Sequence, residues 1–209
     1  MSQLPTHVAA DVLAFWFGEA LQDSAAGKAC SKRWFTYDPD FDAEILRRFG
    51  HLPEQAAAGN LDAWMDAAES ALARVIVLDQ FPRNLYRHDS RAFAFDGLAL
   101  AGSQAAVERG FDLRMHPLQA VLVYLPFEHA EDLAMQRRAV ALFTALQSRA
   151  PAGCEAQFAS FADYARRHHE VIARFGRFPH RNALLGRPSS PDELLYLEQG
   201  GERFGAKGR

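Results

Sequence analysis

The sequence predicts an all-α protein, a single-domain bundle of antiparallel helices. Apolar residues recur every three or four positions along most of the chain, and no segment shows convincing strand alternation. The pairs Asp38-Pro39 and Ser190-Pro191 have the form of helix starts, an N-cap residue followed by proline at the first helical position. With 209 residues, 49% of them hydrophobic, the chain suits a single core.

The N-terminal part of the chain contains two predicted helices. The first covers residues 8–17, where apolar side chains line one face and Gly18 can end the helix. We expect the next segment, which contains Lys28, Cys30 and Trp34, to be a loop. The second helix begins at Asp38-Pro39, with aromatic or branched residues repeating every four positions, and either ends near Gly50 or runs on weakly to Gly59.

The central part of the chain contains the most hydrophobic predicted helix. Asp66, with Glu69 three residues later, resembles a capping box that opens this helix. Its apolar stripe ends on a carboxylate, Asp79. Pro82 is expected to interrupt the helix, because proline lacks an N–H group and clashes with the preceding turn.

The following segments are bounded by further caps and prolines. Asp89 and Asp96 resemble successive N-caps, the second opening a helix over residues 97–109. His116-Pro117 is expected to start another helix, and Pro126 to stop it.

The C-terminal part contains the clearest periodicity. A helix is predicted over residues 133–150, and residues 158–175 then place apolar side chains at alternating steps of three and four. Residues 190–193 form a complete helix start, after which the leucines of residues 194–197 should pack on the body. Residues 202–209 are expected to form a loose tail.

Three predicted helices end in the same pattern, an apolar residue and proline followed by polar side chains. These segments are residues 81–84, residues 125–129 and residues 178–182. Proline stiffens each segment and holds the following side chains in fixed directions. Because short turns between antiparallel helices place alternate helix ends on one side, we expect the three segments to converge.

The last of these segments is unusually rich in basic groups. Residues 174–182 contain three arginines, one histidine and one asparagine around Gly176 and Pro179. Guanidinium groups match carboxylates and phosphates through paired hydrogen bonds. The segment therefore either binds an anionic ligand or holds several acidic groups of its own chain.

Several strings of this sequence resemble a known family. They are residues 78–87, the turn of residues 128–132, and residues 174–182 preceded by His168. Together they resemble an uncharacterised bacterial family, catalogued as domain of unknown function nine-two-four. The resemblance implies an all-helical fold similar to the right-handed superhelix of tetratricopeptide repeats, and it brings no established activity.

Composition and motifs exclude several classes of function. The net charge of −3 and the absence of a Lys/Arg tract argue against nucleic acid, and no apolar run reaches membrane-spanning length. Cys30 and Cys154 lack any CxxC spacing, so we expect neither disulfides nor a thiolate zinc site in a cytoplasmic protein. Phosphate-binding loops and nucleophile signatures are missing too, and no cofactor is predicted.

A metal site is the less favoured interpretation. Glu128, His129, Asp132, His168 and His180 together offer enough nitrogen and oxygen ligands for a divalent ion. Their spacing matches no metal motif, and the neighbouring guanidiniums would repel a dication. We therefore predict no metal.

The acidic and imidazole side chains each allow two interpretations. Asp79 should pair with a cation such as Arg83 or Arg177, and that ion pair can be structural or functional. His168 is either a hydrogen-bonded core histidine or part of a site. His129 and His180 follow Pro-bounded segments, which favours a functional role.

The leading hypothesis is a pocket that binds a small anionic metabolite, with no nucleic acid or membrane partner. The expected ligand-binding residues are Arg83, Asn84, Arg174, Arg177, Arg181 and Asn182. If chemistry follows, the acid and base groups are His129, His180, Glu128, Asp79 and His168, which suit hydrolysis or elimination. The alternatives are a module that binds an acidic peptide without turnover, and an internal lock that holds the helices in register. Oligomeric state stays open.

Overall fold

The structure, a computed structural model, describes residues 4–205. Over this range the chain is all-α, with eleven α-helices, four short 3-10 turns and no strand. The α-helices are α1 (Thr6–Phe17), α2 (Ser24–Trp34), α3 (Pro39–Phe49), α4 (Leu52–Ala57), α5 (Ala68–Leu85), α6 (Asp96–Glu108), α7 (Phe111–Arg114), α8 (Pro117–His129), α9 (Leu133–Leu146), α10 (Glu155–Phe175) and α11 (Pro191–Glu198). The 3-10 turns are Asp62–Asp66, Ser90–Phe93, Gln147–Arg149 and Pro179–Arg181.

Helices α5 and α8 form the centre of the molecule. They pack against each other, α1 and α6 also contact α5, and α9 contacts both α8 and α10. Most residues of α5 and α8 are buried, as expected of helices surrounded by other helices. A smaller apolar cluster around Phe178 joins the end of α10 to α11 and to Phe204. The tetratricopeptide-like superhelix and the single domain stay predictions.

The expected loop around Trp34 is wrong, because residues 24–34 form α2. Residues 24–34 have a weak helix propensity, since Gly27 and Ser31 lie in the interior of the segment, and the sequence pattern therefore does not indicate this helix. Long-range packing supports it instead: the Trp34 ring stacks on Trp16 at 5.8 Å and donates a hydrogen bond to the Trp16 carbonyl.

Neither internal proline stops its helix. Helix α5 runs through Pro82 to Leu85, and α8 runs through Pro126 to His129. Each proline removes one backbone hydrogen bond, and the burial of the helix on all sides outweighs that loss. The polar groups that follow therefore project from regular helix rather than from loops.

Three predicted N-caps are confirmed and two are wrong. The Asp38 carboxylate accepts from the amides of residues 40 and 41, Asp89 accepts from the amide of residue 91, and Ser190 forms the predicted capping box. Asp66 instead ends a 3-10 turn, and α5 begins after Ala67. Asp96 is the first residue of α6 rather than its cap, because its carboxylate binds arginine side chains.

The C-terminal end also differs from expectation. Leu194 and Leu195 are half exposed, whereas Glu193 is the buried residue of α11. Within the expected loose tail, Glu202 and Phe204 contact α10, and residues 206–209 lie outside the described range. No helix within residues 4–205 combines the length and apolar character that crossing a bilayer requires.

Candidate functional site

The three segments with the shared proline pattern meet at one place. Arg83 and Arg181, from the first and third segments, both contact Asp96. Arg83 and His129, from the first and second segments, both contact Asp79. The structure thus brings together side chains that we call the polar cluster. Its members are Asp79, Arg83, Asp96, Glu128, His129, His168, His180 and Arg181.

Asp79 is the fully buried centre of the cluster. Its Oδ1 lies 2.8 Å from Nδ1 of His129 and 3.2 Å from Nη1 of Arg83, and its Oδ2 accepts from Nε2 of Gln80 at 2.5 Å. Burial would raise the pKa of Asp79, but Arg83 and His129 outweigh burial and hold that pKa below its usual value. Asp79 is therefore a carboxylate, and its predicted pairing with Arg83 is confirmed.

The Asp79 contact fixes the state of the His129 ring. Because a carboxylate only accepts hydrogen bonds, Nδ1 of His129 must donate the proton in this pair. Burial and the charge of Arg83 lower the pKa of His129, against the opposite effect of Asp79. The ring is then neutral near pH 7 and Nε2 holds a free lone pair, the arrangement of a general base.

Glu128 and His168 form a second buried pair beside the first. Nδ1 of His168 lies 2.8 Å from the carbonyl oxygen of Tyr164 and 3.2 Å from Oε1 of Glu128. Burial, reinforced by Asp79, raises the pKa of Glu128 to about 8, so this carboxyl group keeps its proton at neutral pH. Burial also lowers the pKa of His168. The rings of His129 and His168 are 6.3 Å apart.

Arg83 and Arg181 share one carboxylate unequally. Arg83 binds Asp96 through both terminal nitrogens, at 2.8 and 3.0 Å, whereas Arg181 reaches it through one nitrogen at 3.4 Å. The Arg181 side chain is 8% exposed and lies between the rings of Phe93 and Phe178. Its Nε finds no hydrogen-bond partner among residues 4–205, and burial lowers its pKa to about 10.

His180 is the second incompletely bonded member of the cluster. Its buried Nδ1 also has no hydrogen-bond partner in the described part of the chain. Burial, together with the neighbouring charge of Arg181, lowers the pKa of His180 to about 3. The ring is therefore neutral, and its buried Nδ1 makes no hydrogen bond within residues 4–205.

The other predicted ligand-binding residues are occupied by protein partners or exposed. Arg177 binds Glu193 through two nitrogens at 2.6 and 2.8 Å, rather than Asp79. Asn182 donates to Ser189 at 3.0 Å. Asn84 donates to Asp42 at 2.7 Å. Arg174 is exposed and lies over the rings of Phe175 and Tyr196. For Arg177 and Asn182, the contacts match the internal-lock hypothesis.

Sequence reasoning missed several groups around the cluster. Asp96 was seen only as a cap, and Glu193 only as part of a capping box. Glu131 and Arg187, which pair through 2.5 and 2.9 Å contacts, were not singled out as a pair. For Glu193 the available signal was its closeness in sequence to residues 174–182, whose guanidiniums require counterions; Asp96 and Glu131 are distant in sequence and gave no such signal.

Two open spaces within residues 4–205 lie away from the polar cluster. Within residues 4–205, no group of three or more His, Cys, Asp or Glu side chains could hold a metal ion. A space of about 110 Å³ is lined by residues that include Gly27, His116 and Cys154. A groove of about 270 Å³ lies between α9 and α10, beside Arg137 and His169. Members of the polar cluster line neither of them.

The proton on Glu128 predicts how stability depends on pH. Between pH 6.5 and pH 8 the folded protein keeps this proton, whereas an unfolded glutamate has already lost it. The Glu128 proton should therefore lower the free energy of unfolding by about 2 kcal/mol as pH rises through this window, against a smaller opposite contribution from the three histidines with lowered pKa values. Urea titrations at closely spaced pH values measure the slope.

A matched variant isolates the glutamate. Glu128→Gln cannot ionise, so the native protein should lose about 2 kcal/mol of stability relative to this variant between pH 6.5 and pH 8. Below pH 6.5 both proteins should lose stability as the pH falls, because His129, His168 and His180 have lowered pKa values and resist protonation in the folded state. An unchanged slope in the variant would contradict the assignment to Glu128.

Comparison with known proteins identifies the family of the chain. Residues 12–201 match the family model described as bacterial protein of unknown function, DUF924. The chain is similar to a solved structure, the protein of unknown function ATU0120 from Agrobacterium tumefaciens, with 39% identity and a TM-score of 0.79. That alignment covers 94% of this chain and 100% of the other. No curated protein matches the chain. The chain therefore belongs to DUF924, a family of bacterial proteins of unknown function.

Proposed function

We propose that the polar cluster binds a small metabolite through its phosphate or carboxylate group and acts on it by histidine acid/base chemistry. The observation that carries the proposal is the incomplete pairing of Arg181, a buried cation with one long contact to Asp96. A buried guanidinium with a free donor is costly unless a ligand completes its hydrogen bonds.

Among the arginines considered as anion-binding groups, the ion pairs leave Arg181 as the candidate. Arg83 is saturated by Asp79 and Asp96, and Arg177 is saturated by Glu193. An oxyanion at Arg181 would gain a charge-assisted hydrogen bond without breaking those pairs. The neighbouring Nδ1 of His180, without a partner in residues 4–205, would serve as a further polar contact.

The Asp79–His129 pair supplies the chemistry. Asp79 orients His129, whose Nε2 takes a proton either from an attacking water, for hydrolysis, or from a carbon next to the leaving group, for elimination. A departing group then receives a proton from a neighbouring acid, and Glu128 is protonated near pH 7. Cys30 and Cys154 are free thiols, which fits a cytoplasmic setting.

Anion binding at Arg181 is tested with simple probes. Inorganic phosphate and acetate are titrated into the protein, followed by pools of phosphorylated and carboxylated metabolites, and binding is followed by thermal shift. We expect Arg181→Ala to weaken binding of the active probes by about tenfold or more, as the loss of a charge-assisted hydrogen bond implies.

Arg174→Ala is the matched control, because Arg174 is an exposed arginine over two aromatic rings. This variant should bind every probe as the native protein does. Equal binding by Arg181→Ala and the native protein would refute the anion site. Weakening by both variants would indicate a diffuse effect of net charge instead.

A further inference from the structure

The end of the described chain inserts an aromatic ring beside the polar cluster. Phe204 stacks on His168 with ring centroids 3.4 Å apart and an interplanar angle of 20°. The rings of Phe178 and His180 lie at 5.8 Å from Phe204, at steep angles to it. His168, Phe178 and His180 thus form three walls of a slot that the Phe204 ring fills; we call it the aromatic slot.

The backbone that carries Phe204 is poorly suited to stay there. Phe204 has φ of +44°, a left-handed conformation that costs a bulky residue about 1–2 kcal/mol. The segment follows Gly200 and Gly201, which allow the chain to swing. The segment is tied down by an ion pair of Glu202 with Arg167, two groups that are each about one third exposed, and by hydrogen bonds from the Glu202 amide and the Arg203 side chain to α11.

The aromatic slot adjoins the unsatisfied polar atoms of the cluster. Phe178 forms one wall of the slot, and its other contacts include the Arg181 guanidinium at 4.4 Å from the ring centroid. The His180 ring, whose buried Nδ1 is unpartnered in the described residues, forms another wall. A flat apolar space and two unused polar groups therefore lie side by side.

We propose that the aromatic slot is the ring-binding half of the site, and that its ligand is a planar aromatic ring bearing a carboxylate or phosphate. Phe204 holds the place of that ring, and the ligand displaces it by swinging the segment of residues 201–205 away. The ring of the ligand stacks on His168, and its anionic group lies at Arg181. The placement of the anionic group at Arg181 rests on the proposed function, whereas the binding of the ring in the aromatic slot does not.

The probes are benzoate, cyclohexanecarboxylate, acetate and benzyl alcohol, titrated by calorimetry into the native protein and Phe204→Ala. Benzoate should bind Phe204→Ala about tenfold or more tightly than the native protein, which must first expel its own ring. For cyclohexanecarboxylate, which has the same charge but a puckered ring, Phe204→Ala should increase the affinity less than it does for benzoate. For acetate it should leave the affinity unchanged. Equal benzoate affinity for the two proteins would overturn the inference.

Two further variants serve as controls for the benzoate titration. Phe204→Leu preserves the apolar contact and should bind benzoate with intermediate affinity, which serves if Phe204→Ala folds poorly. Leu194→Ala, at a half-exposed position of α11, should change nothing. If acetate binding requires Arg181 but the ring adds no affinity, the slot is refuted and the anion site stands. If benzyl alcohol binds Phe204→Ala while no anion depends on Arg181, the proposed function is refuted and the slot stands.

Discussion

Replacing Arg83 with alanine is expected to lower the free energy of unfolding by about 3–5 kcal/mol, the typical cost of removing one partner from a buried ion pair. Arg83 contacts the fully buried Asp79 and binds Asp96 through two hydrogen bonds. Without Arg83, the buried Asp79 would lose its arginine partner and keep only His129 and Gln80. Urea or guanidinium denaturation of the two proteins measures the difference.

Arg181→Ala is the comparison for this prediction. Both arginines contact Asp96, but Asp96 keeps its bidentate partner Arg83 when Arg181 is removed. We therefore expect a clearly smaller loss of stability from Arg181→Ala than from Arg83→Ala. Equal losses would mean that Arg181 belongs to the structural lock, and the anion site would lose its main support.

A substrate of this protein should be turned over about 10²–10⁴ times more slowly by His129→Gln, the range expected for loss of a general base. Glutamine keeps a polar group near Asp79 but has no nitrogen lone pair to accept a proton. Compounds that bind in the Arg181 screen are incubated with the native protein, and loss of compound or appearance of product is followed by NMR.

Two further variants separate chemistry from folding in that assay. His7→Gln, at an exposed position on α1, should have native rates. Asp79→Asn should slow turnover as well, because the amide no longer enforces the tautomer that leaves Nε2 of His129 unprotonated. Full activity in His129→Gln would refute the role of the base. Binding without turnover of any compound would favour the module that receives an acidic peptide.

Short-range features of the fold were predictable from the sequence. Asp38-Pro39 and Ser190-Pro191 start helices as expected, and Gly176 ends α10 in the left-handed conformation. The periodicity of α10 correctly placed His168 on a buried face. These features depend on residues at most four positions apart, which local propensity and hydrophobic period describe well.

The paths of α5 and α8 were not predictable in the same way. Local rules place a break at Pro82 and at Pro126, yet both helices continue, since burial by several neighbouring helices outweighs one lost hydrogen bond. The convergence of the three proline-containing segments was expected. Only the packing showed that the polar side chains of residues 81–84 and residues 125–129 project from regular helix.

Only the tertiary fold showed which arginines form structural ion pairs and which one is a candidate for binding a ligand. From the chain alone, every arginine of residues 174–182 is an equal candidate for an anion, because all have the same chemistry. In three dimensions Glu193 satisfies Arg177, whereas Arg181 shares Asp96, 85 positions away in the chain, with Arg83. Coulomb energy depends on distance in space and on burial. The number of residues between two charges gives neither their distance in space nor their burial. Only the folded structure therefore decides which charge is left incompletely paired.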